Sequence, residues 1–527
     1  IDVRTDYYYI APQALERFCI PKNAFHKVME YHRDFVYGSD YAKLKAEFDD
    51  LLSTERCTHN MEYRWMDLKK RPVWIKCKGH LIRDAKMKPL YMIGCINEIG
   101  GKQKADNVSG LLGETGFREY ISNPVPTWKK GYLLRVGIDH FKEINEKFSM
   151  EYGDFILRET AACISSCMSE KQRVYKLMAD EFLILDVSSD DTKEAGKLFI
   201  KIRESIDQFV EENDFEVMYT ISGGSLALHS SENIEHSKVM KLTDFSLNEA
   251  KKRGRNRCYI FDEKDYSRFI RKGEITQELR EATRNGFQGF VAFYQPVIEA
   301  KSGRLSGAES LMRFSSSKFG MVSPVEFIPI LEETGLIIPV GRWMMKEAME
   351  KCSQIRKVIP GFKVNINISQ VQVSKSDVII DIADEMEKAG LSPEAMNIEL
   401  TESDLLEGDI NTQHFLKELK RMGIKLALDD FGTGYSNFHY LSELDPEIIK
   451  IDRSFTSSAV ADEKEYYLLK QFCRMIHNLG LKICIEGVEN QEEWAKIQKL
   501  EPDFGQGFFW GRPCGYDEFV RQFIEKK

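Results

Sequence analysis

The pattern of hydrophobic and polar positions changes twice along the chain. Residues 1 to about 100 begin with short helical patterns and continue with three β-like runs, 61–68, 73–82 and 89–98, which polar turns separate. Consecutive runs of this kind, bounded by turn residues, are typical of an antiparallel meander. The first region is therefore predicted to be a small α+β domain.

The middle region, from about residue 104 to 262, alternates strand and helix patterns. Its clearest strand, 132–138, leads into a helical pattern, and a later hairpin carries Met178, Ala179 and Asp180 at its tip. Such alternation is typical of an α/β domain. The segment 261–286 is mostly charged, has a helical pattern, and is the only covalent connection to the region that follows.

The third region has about 250 residues, the usual size of a (β/α)8 barrel. Its β-like runs repeatedly end in a polar residue, and helical patterns lie between them. The polar residues are Glu309, Asn367, Glu399, Asp429 with Asp430, Lys450 and Glu486. The carboxyl ends of the strands form the active-site face of such barrels, so we expect these side chains to meet at one mouth.

Composition narrows the class of protein. A chain of 527 residues predicts three or four domains, and 43% hydrophobic with 30% charged residues is the balance of an ordinary globular protein. The net charge of −9 gives no basic surplus for binding a DNA or RNA polymer. Any nucleotide ligand must therefore be held by local charges.

The sequence also bears on compartment and metal type. No run of about 18 apolar residues predicts a membrane span. The eleven cysteines are scattered without a CxxC pair, which argues against a zinc site or a disulfide framework and favours the cytoplasm. The chain begins at Ile1 rather than Met, so an upstream signal or membrane anchor is left open.

The polar residues of the third region suggest a particular chemistry. Several carboxylates in one small mouth oppose folding unless cations neutralise them. Their oxygen atoms, without Cys or His, suit Mg²⁺ or Mn²⁺ rather than Zn²⁺, and two such ions would activate a water for attack on a phosphoester. Any one of these residues alone could equally be a strand-end cap or a surface acid.

The third region resembles EAL domains, which are cyclic di-GMP phosphodiesterases. Seven motifs carry the resemblance, in order ESLMR at 309–313, NIS at 367–369, ELTES at 399–403, DDFGTGYS at 429–436, KID at 450–452, EGVE at 486–489 and QGF at 506–508. Ser310 stands where the family has the alanine of its name. By strand alternation, Ser310 should point away from the metals.

The resemblance implies a role for each matched residue. Glu309, Asn367, Glu399 and Asp429 would ligate a first metal, Asp430 a second, and Glu486 would contribute to the cluster. Lys450 would orient or deprotonate the attacking water, Gln506 would position that water or the substrate, and Glu402 would anchor a mobile loop at 432–434. Arg313 would contact a substrate phosphate and Gln295 would line the guanine pocket. Lys450 could otherwise be a strand-end lysine whose chain lies along apolar surface.

The other two regions resemble signalling domains. Residues 104–262 resemble a GGDEF domain, a diguanylate cyclase, in the motifs at 139–145, 175–182 and 250–257, and the VSGLLG segment at 108–113 resembles the linker that precedes it. The meander of residues 1–103 resembles the end of a PAS domain, which implies a sensing or dimerising role with an unknown ligand. Residues 263–527 would then be a linker helix plus the EAL domain.

The GGDEF-like domain departs from the pattern of a cyclase. Two glycines let backbone approach the nucleotide phosphates in that family, and here the positions hold Met178 and Ala179. Gly137 replaces an acidic metal ligand. The guanine-reading pair is matched by Asn145 and Asp154, and the triphosphate contacts by Lys251 and Arg255, although an ordinary helix surface could carry the same residues. The resemblance implies a regulatory domain that binds GTP as an effector without cyclase activity.

Together these features predict a multidomain α/β and α+β protein with PAS-like, GGDEF (nucleotide-cyclase-like) and EAL (TIM-like barrel) domains. The expected activity is metal-dependent hydrolysis of cyclic di-GMP to linear pGpG by a homodimer, with two Mg²⁺ or Mn²⁺ ions per site. One alternative is a receptor that binds cyclic di-GMP or GTP without catalysis. Another is a bifunctional cyclase and phosphodiesterase.

Overall fold

The computed structural model describes residues 1–98, 106, 108–122, 130–212, 219–229, 235–401, 410–432 and 446–525. The chain divides into two compact units, Ile1–Ser267 and Arg268–Lys527. Across the described ranges, every helix is too short or too polar to cross a lipid bilayer.

The first part of the first unit is a β-meander with two helices. Its elements are β1 Tyr7–Tyr9, a 3₁₀ turn Pro12–Glu16, β2 Ala24–His26, α1 Val28–Phe35, α2 Gly38–Ser53, β3 Thr58–Met66, β4 Pro72–Arg83 and β5 Pro89–Glu98. Strands β3, β4 and β5 pair antiparallel in chain order. The three predicted β-runs are confirmed, with ends shifted by at most three residues.

The second part of the first unit is built on a six-stranded sheet. Its elements are β6 Leu112–Gly113, α3 Glu114–Ile121, β7 Lys130–Ile138, α4 Phe141–Lys147, α5 Met150–Ser166, β8 Gln172–Lys176, β9 Glu181–Asp186, α6 Thr192–Glu212, β10 Ile221–His229, α7 His236–Lys252 and β11 Cys258–Ile260. The strand order is β11-β10-β7-β9-β8-β6, which puts β7 next to the β8–β9 hairpin. The end of β7 and the hairpin tip are therefore neighbours.

The charged connecting segment forms one helix, α8 Glu263–Arg284, which contains the boundary between the units. The second unit continues with β12 Phe290–Glu299, β13 Leu305–Ser316, β14 Gly320–Val322, α9 Pro324–Thr334, α10 Ile337–Arg356, β15 Lys363–Asn367, α11 Gln370–Lys375, α12 Val378–Ala389, a 3₁₀ turn Pro393–Ala395 and β16 Met396–Thr401. It ends with α13 Ile410–Met422, β17 Lys425–Phe431, β18 Ile448–Ile451, α14 Arg453–Ala461, α15 Glu463–Asn478, β19 Lys482–Ile485, α16 Gln491–Ile497, a 3₁₀ turn Gln498–Leu500, β20 Phe504–Gly505, β21 Cys514–Gly515 and α17 Tyr516–Phe523.

Eight of these strands close into a barrel in the order β13-β15-β16-β17-β18-β19-β20-β12, and β12 returns to β13. The predicted barrel is confirmed, with one difference from a regular (β/α)8 barrel. Strand β12 runs antiparallel to both β13 and β20, since a short turn rather than a helix joins β12 to β13. The other neighbouring pairs in the ring are parallel.

The core of the second unit lies mainly between the barrel strands and the helices around them. Val364, Ile398 and Ile449 point away from the barrel interior and are fully buried against the helices, while Ala427, Ile448 and Cys484 are buried inside the barrel. Apolar strands with both faces covered are typical of parallel sheets, where neither face meets water. This packing fixes the strand positions that carry the polar residues of the mouth.

Candidate active site at the barrel mouth

The polar residues at the strand ends come together because neighbouring strands are held in a fixed register. Glu309 lies opposite Asn365 of β15, Asn367 lies opposite Glu399, and Thr401 lies opposite Asp429. Several strands run past their polar residue, contrary to the expectation that it ends the strand. Glu309 lies inside the twelve-residue β13, which continues beyond the ring to pair with β12 and β14.

Asp429 and Asp430 are adjacent, yet both reach the mouth. Successive residues of a regular strand point to opposite faces. The pairing of β17 with β18 is irregular between Leu428 and Phe431, and Asp430 adopts a left-handed φ of 53°. A bulge of this kind redirects a side chain, and Asp tolerates positive φ better than most residues. The bulge therefore gives one strand two carboxylates at the same site.

Lys450 lies at the centre of the mouth and is 1% exposed. Its Nζ lies within hydrogen-bonding distance of four carboxylates, each on a different strand or strand end. The four oxygen atoms are Glu309 Oε2 at 3.2 Å, Glu399 Oε2 at 3.0 Å, Asp429 Oδ1 at 3.1 Å and Glu486 Oε1 at 2.8 Å. A lysine lying along apolar surface would instead place its ammonium in water. The buried ammonium therefore belongs to the polar cluster.

One ammonium cannot hold all of these carboxyls ionised. Burial raises the pKa of Glu309, but Lys450 and hydrogen bonds from neighbouring amides outweigh it and hold that pKa below its ordinary value. Burial and nearby carboxylates raise the pKa of Glu399 well above its ordinary value, that of Glu486 to about 8, and that of Asp430 to about 6. The protein alone thus leaves negative charge at the mouth without enough positive charge to balance it.

The cluster fits divalent cations. The carboxylate oxygens of Glu309, Glu399 and Asp429 lie within 4.8 Å of one another, and so do those of Asp429, Asp430 and Glu486. The two groups share Asp429, so these five carboxylates could together hold two ions. Donor atoms that are all oxygen are those that Mg²⁺ and Mn²⁺ prefer.

Two glutamine amides close one side of the mouth. The Gln506 Nε2 donates to Glu309 Oε2 at 2.6 Å and to Gln295 Oε1 at 3.1 Å, and Gln295 donates to the carbonyl of Gly511 at 3.3 Å. Gln506 is 4% exposed, and its Oε1 has no hydrogen-bond partner within the described residues. A buried amide oxygen of this kind can accept a hydrogen bond from a ligand or a water.

A cavity of about 300 Å³ opens over the cluster. Its lining residues are Gln295, Glu309, Leu311, Asp429, Asp430, Arg453, Glu486, Gly487, Glu489, Gln506, Gly507 and Phe508. This volume is at the lower end of the range for small-molecule sites. The negatively charged floor is thus reached through an open cleft.

Three further predicted features differ in how far the structure places them. Arg313 is half-buried above Phe293, with its guanidinium carbon 5.6 Å from the ring centroid, and its Nη1 donates to the Met312 carbonyl. The Ser310 hydroxyl donates to the backbone carbonyl of Asn365 at 2.8 Å, away from the carboxylate cluster. Glu402 and the loop residues from Thr433 onward lie outside the described residues.

The structure adds residues that the sequence analysis did not identify. Asn365 donates from Nδ2 to Glu399 Oε1 at 2.7 Å, and Asn397 donates to Asn365 Oδ1 at 2.9 Å. Each asparagine precedes a predicted metal ligand by two residues. The period of two along a strand could therefore have placed both on the inner face of the barrel.

The predicted guanine-reading residues of the middle domain are neighbours. Asn145 lies in α4, and exposed Asp154 lies in α5. A Cβ at Gly153 would lie 1.9 Å from the Asn145 Oδ1, so the glycine gives the amide its place beside α5. Lys251 ends close to Gly137, with its Nζ 3.2 Å from the position of a Cβ there, and Arg255 is exposed.

The hairpin of the middle domain has an unusual tip. Met178 is 81% exposed, and Ala179 adopts a φ of 51°. An L-residue pays about 1 kcal/mol or more for a left-handed conformation that glycine adopts freely. The ammonium of buried Lys176 donates to the carbonyls of Leu177 and Ala179 and so holds the tip in this shape.

Three family models match consecutive parts of the chain. They are described as "PAS fold" for residues 8–96, "Diguanylate cyclase, GGDEF domain" for residues 103–257 and "EAL domain" for residues 276–513. The three domain types predicted from the sequence, and their order, are confirmed.

Curated relatives match across most of the chain. A bifunctional diguanylate cyclase/cyclic di-GMP phosphodiesterase, MucR of Pseudomonas aeruginosa, is 29% identical over 414 residues, covering 78% of this chain and 59% of MucR. The cyclic di-GMP phosphodiesterase PdeR of Escherichia coli is 26% identical over 429 residues, covering 80% of this chain and 64% of PdeR. The chain thus spans about three fifths of the length of these relatives.

A solved structure described as "PaMucR Phosphodiesterase, c-di-GMP complex" is 29% identical to this chain, with a TM-score of 0.44, and covers 47% of this chain and 99% of its own. The chain thus carries PAS, GGDEF and EAL domains in this order, and the EAL match coincides with the closed eight-stranded barrel.

Proposed function

We propose that this chain is a metal-dependent phosphodiesterase that hydrolyses cyclic di-GMP to linear pGpG at the mouth of its EAL barrel. The observation that carries the proposal is the buried cluster of four carboxylates around Lys450, joined by Asp430. The names of MucR and PdeR, which describe them as cyclic di-GMP phosphodiesterases, support the choice of substrate.

The residues of the mouth divide the work. Two bound divalent cations would supply charge neutralisation and a water acidic enough to attack a phosphodiester. Glu309, Glu399, Asp429, Asp430 and Glu486, with the side-chain oxygen of Asn367, would hold them. The Lys450 ammonium links four of the carboxylates and would orient the attacking water. The Gln506 amide, fixed by Glu309, offers its free Oε1 to that water or to the substrate.

The substrate side of the mouth is provided by residues above the cluster. Arg313 donates to the Met312 carbonyl and would also bind a phosphate of the dinucleotide, for which a guanidinium is well suited. Gln295 borders the same cavity and would contact a guanine. Hydrolysis breaks one P–O bond to a 3′-oxygen and adds water, so the product carries one 5′-phosphate and one 3′-hydroxyl.

We further propose that the PAS and GGDEF domains regulate this activity, that the GGDEF domain binds GTP without making cyclic di-GMP, and that the protein acts as a cytoplasmic homodimer. The replacements at Gly137, Met178 and Ala179 support the loss of cyclase activity. The match to the PAS fold supports a sensing role for the first domain, with a ligand of unknown identity.

The decisive experiment incubates the purified chain with cyclic di-GMP and separates the products by chromatography. With Mg²⁺ or Mn²⁺ we expect pGpG to accumulate, and with Ca²⁺ we expect binding with little turnover, because Ca²⁺ prefers longer bonds and polarises water less. Omission of GTP controls for synthesis of the substrate. Tight binding of cyclic di-GMP with no product in any metal would overturn the enzyme proposal in favour of a receptor.

A further inference from the structure

Two buried asparagines lie directly behind the carboxylate cluster. Asn365 and Asn397 face each other on the paired strands β15 and β16, and they are 7% and 4% exposed. Each lies two residues before a proposed metal ligand, Asn367 or Glu399, so all four are on the same side of their strands. The asparagines therefore form a layer of the barrel interior below the metal-binding layer.

The two amides form a hydrogen-bonded chain that ends on Glu399. Asn397 Nδ2 donates to Asn365 Oδ1 at 2.9 Å, and Asn365 Nδ2 donates to Glu399 Oε1 at 2.7 Å. The other oxygen of this fully buried carboxylate, Oε2, accepts from Lys450 at 3.0 Å. One oxygen of Glu399 is thus held by the chain while the other faces the cluster.

The direction of the chain follows from its two ends. As a cation ligand Glu399 would be ionised and would only accept hydrogen bonds, so Asn365 presents its NH₂ group to Glu399 and its oxygen to Asn397. Asn397 must then present its NH₂ group to Asn365. Its remaining Oδ1 is buried without a partner among the described residues and borders a cavity of about 20 Å³, which has room for one water molecule.

We propose that Asn365 is a positioning residue for the metal site and that Asn397 fixes its orientation. Resting on the proposed function, the inference is that the asparagine chain locks the rotation of the Glu399 carboxylate, so that Oε2 is presented to the cation before it binds. Hydrogen-bond partners behind a metal ligand commonly contribute 10- to 100-fold to metal affinity, because they remove the cost of orienting the ligand. Asn365 and Asn397 lie below the metal-binding layer, so the role proposed for them is positioning rather than catalysis.

The test measures Mn²⁺ binding to the full chain by calorimetry, alongside the Mn²⁺ dependence of turnover. Asn365→Ala is expected to weaken Mn²⁺ binding by about 10- to 100-fold. The near-isosteric Asn365→Leu should lose as much, since it fills the space but donates no hydrogen bond. The loss should appear mainly in the Mn²⁺ concentration for half-maximal turnover, with kcat at saturating Mn²⁺ falling less.

Ser310→Ala is the matched control. It removes a buried hydrogen bond to the backbone of the same residue, Asn365, without touching Glu399. Parental Mn²⁺ affinity is expected. A loss in Asn365→Ala that Asn365→Leu restores would show that packing, rather than the amide, matters, and would overturn the inference.

A double-mutant comparison tests the role of Asn397. Because Asn397 acts only through Asn365, Asn397→Ala should weaken Mn²⁺ binding by a smaller factor, and the double variant Asn365→Ala/Asn397→Ala should bind like Asn365→Ala alone. Losses that multiply would contradict this order of action. If the parent chain binds no Mn²⁺ and makes no pGpG, the proposed function fails. If the parent does both and the asparagine variants match it, only the positioning inference fails.

Discussion

The EAL mouth and the region around Gly137 and the hairpin tip of the GGDEF domain have a similar construction but carry different charged groups. In both, a strand ends beside a second chain segment that carries acidic residues. At the EAL mouth the carboxylates surround one buried lysine, and their oxygen atoms lie close enough together to hold cations. In the GGDEF domain, Gly137 offers no carboxylate, the Lys251 ammonium lies beside it, and Glu181 pairs with Arg135.

This difference supports the proposal that the GGDEF domain keeps its fold without cyclase activity. The GGDEF sheet is complete, and its β8–β9 hairpin is held by Lys176 in a shape that suits glycine. Positive charge stands where a cation would need carboxylates. At the EAL mouth the excess charge is negative, and bound cations would balance it. This contrast supports the proposal that the barrel carries catalysis and that the GGDEF domain has a regulatory role.

The largest expected effect comes from removing a carboxylate from one of the two groups of oxygen atoms that could hold a cation. Glu309→Ala should lower phosphodiesterase turnover by a factor on the order of 10³, about 4 kcal/mol, at saturating Mg²⁺. The barrel should stay folded, because Glu309 balances charge at the mouth and packs little apolar surface. Steady-state kinetics and circular dichroism check both parts. Glu299→Ala, at the exposed end of β12, is the control, and near-parental turnover in Glu309→Ala would refute the metal site.

The second effect concerns stability. Lys450→Met in the metal-free chain should lower the free energy of unfolding of the barrel by about 3–4 kcal/mol, because it leaves buried carboxylates without their cation. Mg²⁺ should recover part of this loss. Chemical denaturation with and without Mg²⁺ measures it. The half-exposed pair of Lys482 with Glu447 supplies the control, since Lys482→Met should cost about 1 kcal/mol or less. Equal losses of unfolding free energy in the two variants would contradict the central role of Lys450 in the cluster.

The third prediction concerns an effect of GTP binding at the GGDEF domain on the activity of the EAL domain. GTP should bind the GGDEF domain without being consumed and change phosphodiesterase activity, with a coupling free energy of about 1 to 3 kcal/mol. Calorimetry and rate assays compare the parent with Asn145→Ala, which should lose both effects, and with Asn248→Ala, an exposed site on α7 that should keep them. The absence of binding at millimolar GTP, or a rate change that survives in Asn145→Ala, would leave the domain a spacer.

The smallest expected effect concerns the strained tip of the GGDEF hairpin. Ala179→Gly should raise the free energy of unfolding of that domain by about 1 kcal/mol, because glycine adopts a φ of 51° without strain. Ala162→Gly, on the exposed face of α5, should lower it by a similar amount. Thermal unfolding compares the two variants. Changes of the same sign would show that the strained tip contributes nothing.

Family motifs and local patterns in the sequence were enough to predict the domain types, their order and the helix between GGDEF and EAL. They also identified the polar residues of the mouth, since β-like runs that end in polar residues over about 250 residues predict a barrel whose strand ends converge. The confirmed β5, Pro89–Glu98, shows how well local alternation and turns define a strand. These features depend on residues close together in the chain.

Which side chains touch one another is evident only from the tertiary structure. The antiparallel β12 pairs Gln295 with Glu309, and the bulge at Asp430 turns two adjacent carboxylates to the same site. The approach of Lys450 to four carboxylates and the amide chain from Asn397 to Glu399 depend on how separate strands are aligned in the closed ring. Such alignment results from packing between segments far apart in sequence, and local patterns do not encode it.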